Sequence, residues 1–298
     1  MADSGYVIPN GRIVVAGSPR VLFRSVEDAT KMIPGRTVIR GSSDKQIKVG
    51  DALNPVLGLL GFEGADPTSR PIDRSTAYAA DSESVPIEAP VLTGRDFAVL
   101  GKLAKGFVAA QGEDLFSWSE GRLVPGMEID GSPAIRVPFV KKAAEYDTGI
   151  KLPAGVVIED VFVKVDTLQS GATIDVGTLS TESSGDPDGL VDGESCAAAG
   201  MVVHNLVDAT EANITLGALL KESDIKTADG TALFAAVKKQ PGYKVDVLRT
   251  LSYTTSNHDV VGSIFLKISS SGVKKMGIAA ISKDASSADA DIVIEAVI

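Results

Sequence analysis

Short runs of β-branched and apolar residues, each closed by Gly, Pro, Asp, Asn or Ser, recur along the whole chain and constrain its fold more than any other feature. That spacing is the signature of strands joined by turns; alternating strand-and-helix proteins carry longer segments of helical period between their strands. In the first half the runs predict strands near residues 12–16, 37–40, 56–62, 85–91, 97–103, 106–109 and 135–140. The intervening GSSD, GFEG and SEGR supply the positive-φ and side-chain-bonded positions that turns need. In the second half, VVIEDVFVKV puts Val161, Val163 and Val165 on one face, and a further strand follows at 174–179. The runs 247–255 and 260–268, separated by turn residues that include Ser256 and Asn257, predict a β-hairpin, and the alternating 291–298 predicts a closing strand. Residues 26–33, 216–224 and 232–239 have helical spacing but are short, and 66–84, with Pro67 and Pro71, predicts a long exposed loop. No internal repeat is visible. The expected fold is all-β, a small N-terminal β-barrel-like domain followed by an antiparallel β-sandwich or jelly-roll-like domain.

Charge divides the chain unevenly. Of 29 Lys and Arg against 39 Asp and Glu, residues 1–50 hold 8 basic and 4 acidic, a balance of +4, which leaves −14 for the rest. An acidic body of this kind is a poor general nucleic-acid binder, because phosphate binding needs clustered cations. Residues 1–50, with Arg12, Arg20 and Arg24 among Gly and Pro, read either as a solvated segment or as an extended basic arm that docks on an acidic surface of a partner or neighbouring subunit. The small, polar stretch 141–152 predicts a domain junction, giving one domain over 51–145 and another over 150–298. No apolar run is long enough to span a membrane as a helix, and the first residues lack the pattern of a signal peptide. The expectation is synthesis in the cytoplasm, with neither membrane nor direct nucleic-acid binding.

Catalytic patterns are weak. The glycines of GLLGFEG fit neither a dinucleotide fingerprint nor a P-loop, and no G-x-S-x-G pentad occurs. The single cysteine, Cys196, excludes an internal disulfide, and only His204 and His258 are available for imidazole chemistry. Asp186, Asp188 and Asp192 in GDPDGLVDG are weak candidates for a hard cation; turn geometry explains them as well, and an EF-hand's bidentate Glu is missing. No metal, cofactor or catalytic residue is expected.

Residues 53–126 carry a resemblance. The phrases Val56-Leu57-Gly58, Lys105-Gly106, Gly112-Glu113-Asp114-Leu115 and Gly121-Arg122-Leu123 follow one another in an order similar to that of the small β-barrel capsid cement (decoration) proteins of tailed viruses. Separately, 152–180, the DPDGLVDG loop and 252–268 resemble a β-sandwich of virion structural proteins. The resemblance implies a non-enzymatic protein that binds and stabilises the outside of an assembled capsid as a homotrimer, docking through 51–145 with 150–298 protruding, with the major capsid protein as partner and the virion surface as its place. Arg12, Arg20, Arg24, Gly106, Glu113, Asp114 and Arg122 are the expected contact residues. A tail, fibre or receptor-binding virion protein is the alternative, followed by a carbohydrate-binding module, which would want more exposed aromatics than 1 Trp and 5 Tyr supply.

Overall fold

A computed structural model describes residues 14–27, 35–43, 45–61, 88–202, 215–220, 241–256 and 259–298. The chain forms two compact units, one of Met1–Met127 with Ser270–Ile298 and one of Glu128–Ser269, so the second is an insertion within the first. The sequence-based junction at 141–152 falls instead on the strand Tyr146–Leu152, whose Ile150 and Leu152 are buried. Its polar residues alternate with these two, and that alternation, rather than a linker, accounts for its composition.

The first unit contains a closed barrel of Arg20–Val26, Thr37–Arg40, Gln46–Val49, Val56–Leu60 and Glu88–Thr93. Val38, Ile47, Leu60 and Val91 fill it, with Leu22, Val26, Val49 and Leu57 packed against them. Each of the four fully buried side chains contributes about 1.5–3 kcal/mol by leaving water. Three of the five strands therefore come from the stretch expected as an extended arm. The correction follows from RVLFRSV, where Leu22 and Val26 alternate with exposed Val21 and Phe23; the arginines in it obscured a period of two.

A second ring of strands repeats the first. Arg95–Leu103, Asp114–Ser117, Leu123–Ile129, Lys275–Ala279 and Ala290–Val297 are joined by the same pairings in the same order. In both rings the first strand meets the third in parallel at its end, Val26 with Ile47 and Leu103 with Leu123. All other pairings are antiparallel. The registers coincide residue by residue. Val38 opposite Gly58 corresponds to Leu115 opposite Gly277, and in both rings the register then slips, skipping Leu57 in one and Met276 in the other. Gly35 N donates to Leu60 O as Gly112 N does to Ala279 O, and Leu60 N to Arg36 O as Ala279 N to Glu113 O. Gly35 and Gly112 have φ of 85° and 82°, a left-handed conformation that a side chain resists. Over 17–40 and 94–117, which align without a gap, only Gly17/Gly94 and Gly35/Gly112 are identical. The inserted unit thus lies between the third and fourth strands of the second ring.

The short strand Val14–Ala16 lies on the edge of Arg95–Leu103 that Ala290–Val297 leaves free, pairing Val14 with Val99 and Ala16 with Ala98.

The second unit is an antiparallel β-sandwich. One sheet orders Ser132–Val140, Val261–Ser269, Val157–Thr167 and Gly200–Val202; the other orders Tyr146–Leu152, Arg249–Thr255, Thr173–Thr178 and Val191–Ser195. Val161, Val163 and Val165 are all buried, as their shared face predicts. The aromatic contact of Phe139 with Tyr253, at 6.1 Å between ring centres, joins the two sheets. The predicted hairpin of 247–255 with 260–268 does not form. Arg249–Thr255 pairs with Tyr146–Leu152 and Thr173–Thr178, and Val261–Ser269 with strands of the opposite sheet. Two strands adjacent in sequence cross between layers here because each has better-matched apolar partners farther away. The predicted loop 66–84, most of the predicted helices, His204 and His258 lie outside the described residues.

Candidate interaction surface

The sequence-selected contact residues fall in two places. Arg12 lies outside the described residues. Arg20 and Arg24 sit on the first strand of the first barrel, Arg20 exposed and Arg24 half-buried, with Arg24 Nη1 donating to Phe23 O at 3.0 Å. The others belong to the second barrel and are tied down within it. Asp114 pairs with Lys275 at 2.8 Å, and Glu113 Oε2 accepts from Ala110 N at 2.9 Å, closing the turn at Gly112. Gly106 N donates to Ala285 O. Arg122 reaches Glu120 at 2.7 Å and Asp289 at 2.6 Å.

Asp289, which no sequence motif marks, draws the Gly106 and Arg122 turns together. Its Oδ1 accepts from Lys105 N at 2.9 Å while Oδ2 accepts from Arg122 Nε and lies 4.0 Å from Arg36. The Arg36 side chain is only 11% exposed. Burial lowers its pKa most, and the Arg122 charge adds to this; Asp289 and Glu120 act the other way. Nothing in the sequence links Arg36, Arg122 and Asp289, which stand far apart in it. The Ser119–Gly121 turn presses on the first barrel, Gly121 N donating to Gly50 O at 2.7 Å. A Cβ at Gly121 would lie 2.6 Å from Thr37 O.

The described part of the inserted unit offers little chemistry. Cys196 is buried, and desolvation, helped by Glu194, pushes its thiol up to about 11, so it stays protonated and unreactive at neutral pH. Asp186, Asp188 and Asp192 are near neighbours, but among the described residues no group of three or more His, Cys, Asp or Glu is arranged to hold a metal ion. Instead Asp186 and Asp188 share a hydrogen bond, and the Asp186 carboxyl is raised to about 6, first by burial and then by Asp188. Burial likewise raises Asp175, whose Oδ1 accepts from Gly193 N at 2.7 Å.

A raised carboxyl has a definite pH signature. Its stabilising contribution is fully present below the ordinary Asp value of 3.8 and is lost as the pH rises through about 6, where the folded loop must ionise. The proton belongs to the coupled pair rather than to one residue. Asp186→Asn, neutral throughout, is expected to raise Tm at pH 7.5 by about 1–3 °C and to flatten its dependence between about pH 4 and 7. Calorimetry across that range checks this; an unchanged profile would mean that Asp186 is ordinarily acidic.

Two apolar features remain open. A small pocket at one end of the first barrel is lined by Leu22, Arg24, Arg40, Leu57 and Val91. Beside it Val21 and Phe23 are exposed, Phe23 by 49%. No protein-family model matches the chain, and no curated protein matches it.

Proposed function

We propose that this protein is a non-enzymatic structural protein of a virion that binds and stabilises the outside of an assembled capsid. The observation that carries the reading is the run of cement-like phrases over 53–126. In the fold these phrases become the Val56–Leu60 strand, the tied turns at Gly106 and Gly112, and the Ser119–Gly121 turn. Two rigid barrels in one chain support it as well. A cementing protein works through several modest contacts made together, so that effective concentration replaces strong single-site affinity. Binding the assembled shell, and not free subunits, then stabilises the shell by mass action. The major capsid protein is the proposed partner, and a homotrimer is the proposed state, since a closed symmetric oligomer matches a local symmetry point of a shell.

The test is to count copies in purified particles and to challenge particles with and without the protein by heat or osmotic shock. A copy number near that of the shell subunit, with markedly better survival, is expected. A few copies at one vertex would point to a tail or receptor-binding protein instead, and equal survival at full occupancy would remove the cementing role.

A further inference from the structure

The two barrels are equivalent in pairing and register, so a difference between them is informative. In the second barrel the outer edge of Arg95–Leu103 at Ala98 and Val99 is covered by Val14–Ala16. The equivalent edge of the first barrel is at Val21 and Leu22. There Arg20–Val26 pairs with Glu88–Thr93 on one side along its length, but with Gln46–Val49 on the other only at Ser25 and Val26. Ser25 N and Glu27 N donate toward that second side, to Lys45 O and Ile47 O. With a strand period of two, the N–H groups of Val21 and Phe23 face the same way, and among the described residues no strand pairs with them.

The side chains at this end differ in the same sense. Arg24 and Arg40 occupy the positions of Gly101 and Ser117. In the second barrel Ser117 is sealed by the returning chain, donating to Gly272 O at 2.6 Å and accepting from Lys274 N at 2.8 Å. In the first barrel the corresponding end is the pocket, of about 70 Å³, with Leu22, Leu57 and Val91 as its apolar wall and two guanidiniums beside them. Arg20, Lys45 and Lys48 add positive charge nearby in sequence.

We propose that this edge and pocket bind an extended, acidic segment of a partner protein. The segment adds as a strand to the Val21–Phe23 edge, as Val14–Ala16 does in the sister barrel, and seats a Glu or Asp side chain in the pocket against Arg24. Backbone pairing supplies the affinity common to any strand; the Arg24 guanidinium selects an acidic one. The pocket has room for a single carboxylate-bearing side chain and an apolar wall for its stem, which suits a peptide better than a nucleic-acid backbone. The proposal stands whether or not the partner belongs to a capsid.

The probe is a labelled, end-blocked (Val-Glu)4 peptide, with (Val-Gln)4 and (Val-Lys)4 as controls, titrated into the full chain at low salt. Expected are at least tenfold tighter binding of the acidic peptide than of either control, and slowed amide exchange at Val21 and Phe23 in the unmodified protein. Phe23→Pro removes the edge donor without touching the ladder to Glu88–Thr93, and is expected to weaken binding tenfold or more; Arg24→Gln is expected to erase the preference for the acidic peptide. Because exchange is read on the unmodified protein, a variant that misfolds does not blunt the test. Unchanged exchange at these amides, equal binding of (Val-Lys)4, a preference for a single-stranded oligonucleotide at the same residues, or protection of the edge by self-association without peptide would each overturn the proposal.

Discussion

Gly58→Ala and Gly277→Ala are each expected to destabilise their own barrel by about 2–4 kcal/mol. An added Cβ would lie 2.4 Å from Leu92 O at Gly58 and 2.2 Å from Glu295 O at Gly277. Both obstacles are backbone atoms of the neighbouring strand, so neither can swing aside as a side-chain tip does. Both glycines stand beside a register slip, where the fourth strand bends toward the fifth. The readouts are separable. Trp118, the sole tryptophan, is buried directly after Asp114–Ser117, the strand that pairs with Lys275–Ala279, so its fluorescence follows Gly277→Ala through denaturant unfolding. Amide exchange at Val38 and Leu60 follows Gly58→Ala. A loss below about 0.5 kcal/mol at either site would mean that the bulge relaxes and that the shared glycine is not a packing requirement.

Asp289→Ala is expected to cost about 3 kcal/mol, because it leaves Arg36 buried beside Arg122 with its main counter-charge gone. Arg36 Nε already has no hydrogen-bond partner, so little remains to compensate the guanidinium. Lys105 N and Arg122 Nε lose their acceptor in the same step. Asp289→Asn, which keeps an acceptor for Lys105 N, is expected to cost less. Arg36→Met in the Asp289→Ala background is expected to recover part of the loss, since it removes the stranded charge and keeps the volume. Additive penalties in that double mutant would show that Asp289 acts through the Lys105 and Arg122 contacts alone.

The fold class was readable because it rests on local pattern. Thr37–Arg40 and Val157–Thr167 lie where their apolar residues predict, and the SEGR turn joins the strands Asp114–Ser117 and Leu123–Ile129. Arg20–Val26 and Gln46–Val49 are hard to read because charged or polar residues stand at nearly half their positions and a five-strand barrel needs few apolar ones per strand. Layer assignment was not readable: Arg249–Thr255 and Val261–Ser269 carry every mark of a hairpin, and only partners distant in sequence separate them. The repeat was hidden for a similar reason. Each barrel keeps apolar residues inward, two left-handed glycines and the glycine beside the register slip, and most other positions differ, as with Arg24 and Arg40 against Gly101 and Ser117. The Asp289 cluster left no local trace, since its members converge only once the second barrel closes.

The position of the insertion sets an order of events during synthesis. All five strands of the first barrel have been made once residue 93 is added, and they need close only local loops. The second barrel begins immediately afterwards but stalls after its third strand, because its fourth and fifth are Lys275–Ala279 and Ala290–Val297 at the far end of the chain. During that wait Arg95–Leu103 has lacked its longest partner, and its apolar face is exposed to other nascent chains. The sandwich, complete in sequence at Ser269, shortens the wait in effect: by folding first it converts a gap of well over a hundred residues into a compact unit, so that the returning strands need not search a long open loop. A chain stopped before Lys275 would hold one finished barrel, one finished sandwich and three unclosed strands, and would be far more prone to aggregate than a chain stopped at residue 93.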